Sequence, residues 1–341
     1  MSEEEDATTK VSETTTTTTT TETEETGPEE KETAANVKKL LHDTKVDGGK
    51  SVWAMTMDTF GMAEGKKKKG DTICGSFEEA MDIFRSMVEG ESGDEWKLEA
   101  TPLTELGATK DDLYRSFVLW AHKEQEDGYN VSKAFRRIQS YVEWMEQHKT
   151  DLLGEDGSNR LTTASMRDLA APWGFCMTHD RDKRLVWWFD LTVVDSKRIQ
   201  QTPVTDTLRF FVWCCHVVLF DQHAQQHGMV MVEELNRMGI IQLFTFLPPD
   251  VSAKLDRLTI GILPIRMAAI YILGAGRWMH IIINLLKPFM SKKMRQRIVV
   301  LRKKDDPQAM LVEALGPDCI PKEFTSLDGT AEQDLLQTYF S

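Results

Sequence analysis

Residues Pro264 to Met290 read PIRMAAIYILGAGRWMHIIINLLKPFM. Three kinds of element follow one another in this stretch. Arg266 to Leu273 is short, apolar and bounded by Pro264 and Gly274-Ala-Gly276, which predicts a buried strand. Trp278 begins a helix that runs to about Arg297. Its polar positions His280, Asn284, Lys287, Ser291 and Arg295 are spaced four, three, four and four apart, so they form one narrow stripe. Over Trp278 to Met290 nearly every other position is apolar, and a helix apolar around most of its circumference needs cover on several sides. Core burial is one reading; a lid facing a lipid or a membrane is the other. Pro288 removes the amide that would bond to Asn284, so a kink is expected there.

Outward from this stretch, strands and helices alternate. Arg184 to Asp195 (RLVWWFDLTVVD), Met229 to Leu235 and Ile298 to Leu301 read as further strands. Helices are expected over Thr207 to Gln226, Pro249 to about Leu263, and Pro307 to Leu315. The alternation implies βαβ crossovers and an α/β fold with a mostly parallel sheet. Upstream, residues 76–150 read as a small all-helical module. Ser76 with Glu79 forms a capping box, and helical periodicity recurs from Phe77, from about Thr109 and from about Asn130. Residues 150–160 carry Gly154 and Gly157 and read as a boundary; residues 160–335 form the α/β domain.

The remaining segments are of another kind. Residues 1–36 hold an unbroken threonine run from Thr14 to Thr21 among glutamates, a composition that cannot offset its ordering entropy, so a disordered acidic tail is expected. Residues 37–75 read as a linker with Lys66 to Lys69 in a solvated loop. The chain has 341 residues, 41 Lys plus Arg and 54 Asp plus Glu, a net charge of −13. Nucleic acid is a poor partner for such a balance. Residues 1–35 alone carry eleven acidic and two basic side chains, so the folded part is close to neutral. Lys287 to Lys304 reverses the sign, with eight basic and no acidic residues. An anionic bilayer surface attracts such a segment by roughly 1 kcal/mol per well-placed charge.

Enzyme signatures are missing. The sequence has no Gly-x-Ser-x-Gly elbow, no His-Glu-x-x-His and no Cys-x-x-Cys. Gly274-Ala-Gly276 lacks the third glycine of a dinucleotide loop; Met279 stands in its place. His223 and His227 are four apart in a polar run without a third ligand, and Cys214-Cys215 reads as packed thiols. No catalysis, metal or cofactor is expected. The five cysteines fit neither a disulfide framework nor a zinc site and point to a reducing compartment.

These residues carry a resemblance. Leu113-Tyr-Arg-Ser-Phe117, Tyr129 to Phe135 and Tyr141-Val-Glu-Trp144 in the module, Asp182-Lys-Arg184 before the first strand, Lys287-Pro-Phe289 at its distance from Pro264, and Leu327-Asp-Gly-Thr330 resemble the CRAL-TRIO lipid-binding proteins of the phosphatidylinositol-transfer type. The resemblance covers residues 76–335. It implies a lipid pocket closed by a gate helix, with a bound hydrophobic lipid or phospholipid as ligand and no covalent chemistry. It places Trp278, Ile281, Ile282, Leu285, Lys287, Phe289 and Tyr271 at the gate and pocket, and Lys292, Lys293 and Arg295 at an anionic membrane surface touched transiently. A cytoplasmic protein, peripheral on membranes, follows. The sequence departs from the family pattern at Gly274-Ala-Gly276, where Asn-x-Pro is usual, and at Glu234-Leu-Asn-Arg237, where Asp-x-x-Gly is usual. The alternative is a regulatory interaction module whose lipid pocket is vestigial.

Overall fold

A computed structural model of the chain describes residues 70–340 except 93–95, 97, 124–127, 159, 291, 325 and 333, with isolated positions at 35, 36, 39, 42, 43 and 54. The expected disordered tail and most of the expected linker lie outside the described residues.

The sheet at the centre has five strands in sequence order: β4 (Phe175–His179), β5 (Leu185–Asp190), β6 (Met229–Glu234), β7 (Met267–Leu273) and β8 (Ile298–Leu301). β4 and β5 pair antiparallel; β5 through β8 are parallel, with Leu185 opposite Met229, Val232 opposite Tyr271 and Leu273 opposite Leu301. Parallel strands covered on both faces read as continuous apolar runs, which is why β6, β7 and β8 were legible. β5 ends five residues before the expected Asp195. Its last carboxylate, Asp190, accepts from Thr192 N at 2.9 Å and bends the chain out of the sheet. β4 had no sequence signal: FCMTH has no alternation and no β-branched run.

Before the large sheet come α1 (Phe77–Ser92), α2 (Lys110–Trp120) and α3 (Val131–Gln147), close to their expected bounds. Thr109 and Asp112 close a capping box at the start of α2, with Asp112 N on Thr109 Oγ1 at 3.2 Å and Thr109 N on Asp112 Oδ2 at 2.8 Å. The module is not all-helical, however. Ile73–Cys74, His122–Lys123 and Gly128–Asn130 form a small antiparallel sheet (β1, β2, β3; order β1-β3-β2). Two-residue strands leave no periodicity to read. Short helices α4 (Lys149–Leu153) and α5 (Thr163–Ala170) cross the expected boundary.

After β5 come α6 (Ser196–Gln201), α7 (Val204–Phe220) and α8 (Gln222–His227). The helix expected over Thr207 to Gln226 is thus two. Asp221 breaks it and its carboxylate caps Ala224 N at 2.7 Å. α7 is buried continuously from Thr207 to Leu219 and is the central core helix. Next are α9 (Ile240–Phe246) and α10 (Pro249–Asp256), which passes into a π-helical turn over Arg257–Ile262. The kink expected at Pro288 is present. α11 (Arg277–Leu286) gives way to a 3-10 turn over Lys287–Phe289, then α12 (Lys292–Arg297). α13 (Pro307–Leu315) follows β8, and α14 (Leu335–Phe340) lies past the expected domain end, stacking Phe340 on Trp213 at 5.5 Å between ring centroids. In the Leu327–Thr330 segment, a Cβ on Gly329 would overlap the Pro321 carbonyl, so only glycine fits.

Two cores result. Val186, Trp188, Val230, Val232, Leu273 and Leu301 point to the sheet face covered by α13, together with Cys319 and Phe324. The opposite face carries Met177, Leu185, Trp187, Met229 and Ile272. It packs under α7 and belongs to one core with the helical module.

Candidate lipid site

The inner face is sealed on one side and not on the other. Beneath α7, Leu185, Trp187 and Met229 are buried. Toward β7 and β8, side chains of the same face (Met231, Ile270, Ile298, Val300) keep part of their surface accessible, as do Phe175 and Phe189, which pack on Phe210 and Phe211 of α7. Helix α11 follows β7 in the chain and packs against the same core. Met279 is buried, Trp278 and Ile283 pack on the core, and Ile281 and Ile282 are half-buried, while Arg277, His280 and Asn284 are exposed. The Trp278 indole N–H donates to Met238 O at 2.9 Å, tethering the start of α11 to the loop after β6.

Of the residues singled out from sequence, Trp278, Ile281 and Ile282 sit together on this helix. Lys287 is exposed at its end, and Lys292, Lys293 and Arg295 are exposed on α12. The side chains of Leu285 and Phe289 lie outside the described part. Tyr271 is a correction: the strand period of two turns it to the opposite face, against the α13 core, while Ile270 and Ile272 face inward.

Sequence reasoning missed two acidic groups. Glu233 follows Met229 and Met231 by the same period of two, so it enters the inner face, between Phe189 of β5 and Ile272 of β7. Burial, then repulsion from Asp256, pushes its carboxyl up to about 7. Burial pushes Asp256, at the end of α10, up to about 6. Counting parity along MVMVEE would have found Glu233. The other carboxylate of that pair, Glu234, turns to the opposite sheet face, is buried there and accepts from Asn236 N at 2.7 Å. In the loop that follows, Arg237 holds the left-handed conformation (φ 63) that glycine usually supplies.

Arg137 of α3 was also missed. Its guanidinium donates to Leu263 O at 2.7 Å and Ile260 O at 3.1 Å, and stacks on Trp120 at 4.0 Å. The π-helical turn leaves these carbonyls without helical partners, and Arg137 supplies them. Burial lowers its pKa to about 9. The module thereby grips the segment from which β7 starts. Lys254 of α10 is buried and paired with Asp151 at 3.1 Å.

Clefts of about 500, 470 and 590 Å³ open elsewhere. They lie at the carboxyl ends of β5 and β6, against the α1–α5 region, and beside Cys176; none of these three is under α11. Cys214 and Cys215 are buried with raised pKa values, as expected of packed thiols. Among the described residues, no three His, Cys, Asp or Glu side chains are arranged to hold a metal ion, and no helix is long and apolar enough to cross a membrane.

A mostly parallel five-strand sheet with helices on both faces, preceded by a mainly helical module, defines an α/β domain. Residues 173–325 match the family model of the CRAL/TRIO domain. Clavesin-1 of Xenopus laevis is 24% identical over 119 residues, 35% of each protein's length, so the chain spans about a third of that relative. The crystal structure of Sfh5 superposes with a TM-score of 0.47 and 13% identity, over 77% of this chain and 90% of that one.

Proposed function

We propose that this protein binds one amphiphilic lipid between the inner face of β6–β8 and helix α11, and transfers or presents it between membranes. The observation that supports the reading is the row Met231, Ile270, Ile298 and Val300 on the inner face of β6–β8, apolar yet partly accessible, in a sheet followed by the apolar helix α11. A well-packed core leaves few voids. A row of apolar side chains that keep accessible surface is what an acyl chain would complete.

The gate must open for exchange. Each large apolar side chain moved into water costs roughly 1.5–3 kcal/mol. Exposing Ile281, Ile282, Ile283 and Trp278 together would therefore cost on the order of a domain's whole stability. At a bilayer that cost disappears, so opening is coupled to docking. Lys292, Lys293 and Arg295, exposed just past the kink, supply the attraction to anionic lipid. Such exposed charges are screened by salt. The site needs no cofactor, and its setting is the cytoplasmic face of a membrane.

Native mass spectrometry of the purified chain, before and after incubation with phospholipid vesicles, tests this. A co-purifying or acquired amphiphile of one-to-one stoichiometry is expected. A clean apo mass that vesicles leave unchanged overturns it and favours an interaction module with a vestigial pocket.

A further inference from the structure

Across the folded body, cations sit beside carboxylates: Arg136 pairs with Asp71, Lys149 with Glu99, Arg184 with Asp180 and Lys322 with Glu332. The edge of the large sheet at β8 is different. Lys287, Lys292, Lys293 and Arg295 lead into that strand and Lys303 follows it, and all five are exposed. Among the described residues none of the five is in an ion pair. The pair that this stretch does form is Arg302 with Asp305 at 3.2 Å, and Asp305 is the first acid after a run of basic residues that begins at Lys287.

β8 is the last strand in the sheet order, so its outer edge has no neighbouring strand in that sheet. Lysines on such an edge repel a second copy of it. What this rim attracts is an acidic segment, and the chain carries one. Residues 1–35 hold eleven acidic and two basic side chains, and Glu22, Glu24, Glu25, Glu29, Glu30 and Glu32 are crowded into one short run. Extended, that run spans about 35 Å, against about 13 Å for the strand between the two groups of cations. Residues 36–69 join it to the folded body. Even wound entirely into helix they would reach roughly 50 Å, and extended more than about 100 Å. A folded body of this size has a radius of gyration of about 19 Å, so the rim lies within reach.

We propose that the acidic run Glu22 to Glu32 docks in cis on the rim formed by Lys287, Lys292, Lys293, Arg295 and Lys303, and covers it until an anionic membrane displaces it. The displacement rests on the reading of these cations as membrane-facing; the docking does not. Exposed ion pairs are individually weak. A flexible tether holds the partners at an effective concentration in the millimolar range, which lets several weak pairs act together. A bilayer presents many anionic headgroups at once and outcompetes the run where it is present.

Zero-length carbodiimide coupling, which joins a carboxylate to an amine in contact with it, tests the docking in the full chain. An equal mixture of 15N-labelled and unlabelled protein is coupled at low concentration and read by mass spectrometry. Couplings from Glu22–Glu32 to Lys287, Lys292, Lys293 or Lys303 are expected within chains of one isotope. They should fall at least about fivefold in 1 M salt, where charges are screened beyond about 3 Å. Absence of these couplings, couplings that go instead to Lys66–Lys69 or to Lys149, Lys197 and Lys322, or couplings that join labelled to unlabelled chains overturn the proposal.

Sedimentation with vesicles of phosphatidylserine and phosphatidylcholine tests the displacement. Glu22→Gln/Glu24→Gln/Glu25→Gln/Glu29→Gln/Glu30→Gln should bind at least about threefold tighter than wild type. Glu3→Gln/Glu4→Gln/Glu5→Gln/Asp6→Asn/Glu13→Gln removes the same charge outside the run and should gain less than about 1.5-fold. Equal gains, or no gain in either, overturn the displacement. If no form of the chain binds the vesicles, the membrane reading fails and the displacement with it, and the couplings alone decide the docking.

Discussion

Two halves of the same sheet face are built to opposite rules. Helix α7 is buried almost throughout, and one polar chain inside it is satisfied, although the indole N–H groups of Trp187 and Trp213 are buried without a partner among the described residues. Thr101, Tyr141 and His216 form a buried chain, with Thr101 Oγ1 2.7 Å from Tyr141 Oη, Tyr141 Oη 2.8 Å from His216 Nε2, and His216 Nδ1 2.7 Å from Val212 O. The direction of every proton follows from its end. A carbonyl only accepts, so Nδ1 carries the hydrogen, Nε2 accepts from Tyr141, and Tyr141 accepts from Thr101. On β6–β8 the apolar side chains are half-open, and Glu233 and Asp256 have no partner among the described residues. The first half joins the helical module to the α/β domain in one core; the second is the half in which a lipid site is proposed. The comparison separates scaffold from site without reference to any ligand.

The largest difference should appear on truncation. Trp213 is fully buried on α7 and stacked on Phe340. Trp213→Ala should cost about 3–5 kcal/mol in urea unfolding. Ile282→Ala, on the half-open side, should cost under about 1.5 kcal/mol because less surface is lost there. Equal losses would erase the distinction between the halves.

Next in size is the pH dependence of the open half. A carboxyl raised in the folded state subtracts stability. For Glu233 the penalty is absent below the unfolded value near 4.5, grows as pH rises, and is complete above about 7. It amounts to roughly 3 kcal/mol in the unliganded protein. Glu233→Gln should therefore have the higher Tm at pH 8 and lose that advantage toward pH 4.5. Parallel Tm profiles would show that Glu233 is not enclosed. The closed half slopes the other way. His216 is lowered from 6.5 to about 4 by burial, so its contribution is present above 6.5 and is lost as pH falls toward 4.

Tyr141→Phe should follow, costing roughly 1–3 kcal/mol, because His216 Nε2 and the Thr101 hydroxyl both lose a buried partner. A neutral outcome would mean that the chain is not dry. The smallest effect lies outside both halves. Arg237→Gly relieves a left-handed residue and should stabilise by roughly 1 kcal/mol or less, because glycine's greater chain entropy offsets part of the relief.

What could be seen in the sequence follows the same division. Strands β5 to β8 and helices α1 to α3 announced themselves because burial writes a period into composition. The kink at Pro288 was legible because proline lacks an amide. β4 and the small β1-β3-β2 sheet were not, since their pairing is decided by partners distant in the chain. For the site, Trp278, Ile281 and Ile282 were legible as a face of one helix. Tyr271 was misplaced because a strand's two faces look alike when both are apolar. Glu233 was passed over because two adjacent glutamates at a strand end look like a solvated cap, and only the register shows one turning inward. Arg137 acts on carbonyls more than 120 residues away, and no local pattern encodes that.

Hydrogen–deuterium exchange, followed across the chain with and without anionic phospholipid vesicles, tests the central claim most directly. The peptides to compare are residues 277–289, the proposed gate, and residues 204–220, over the closed half. Exchange in 277–289 should change when vesicles are added, while 204–220 stays equally protected in both conditions. If 277–289 exchanges identically with and without vesicles, at the slow rate of 204–220, then α11 is a core helix like α7 and the account of a gated lipid site is wrong.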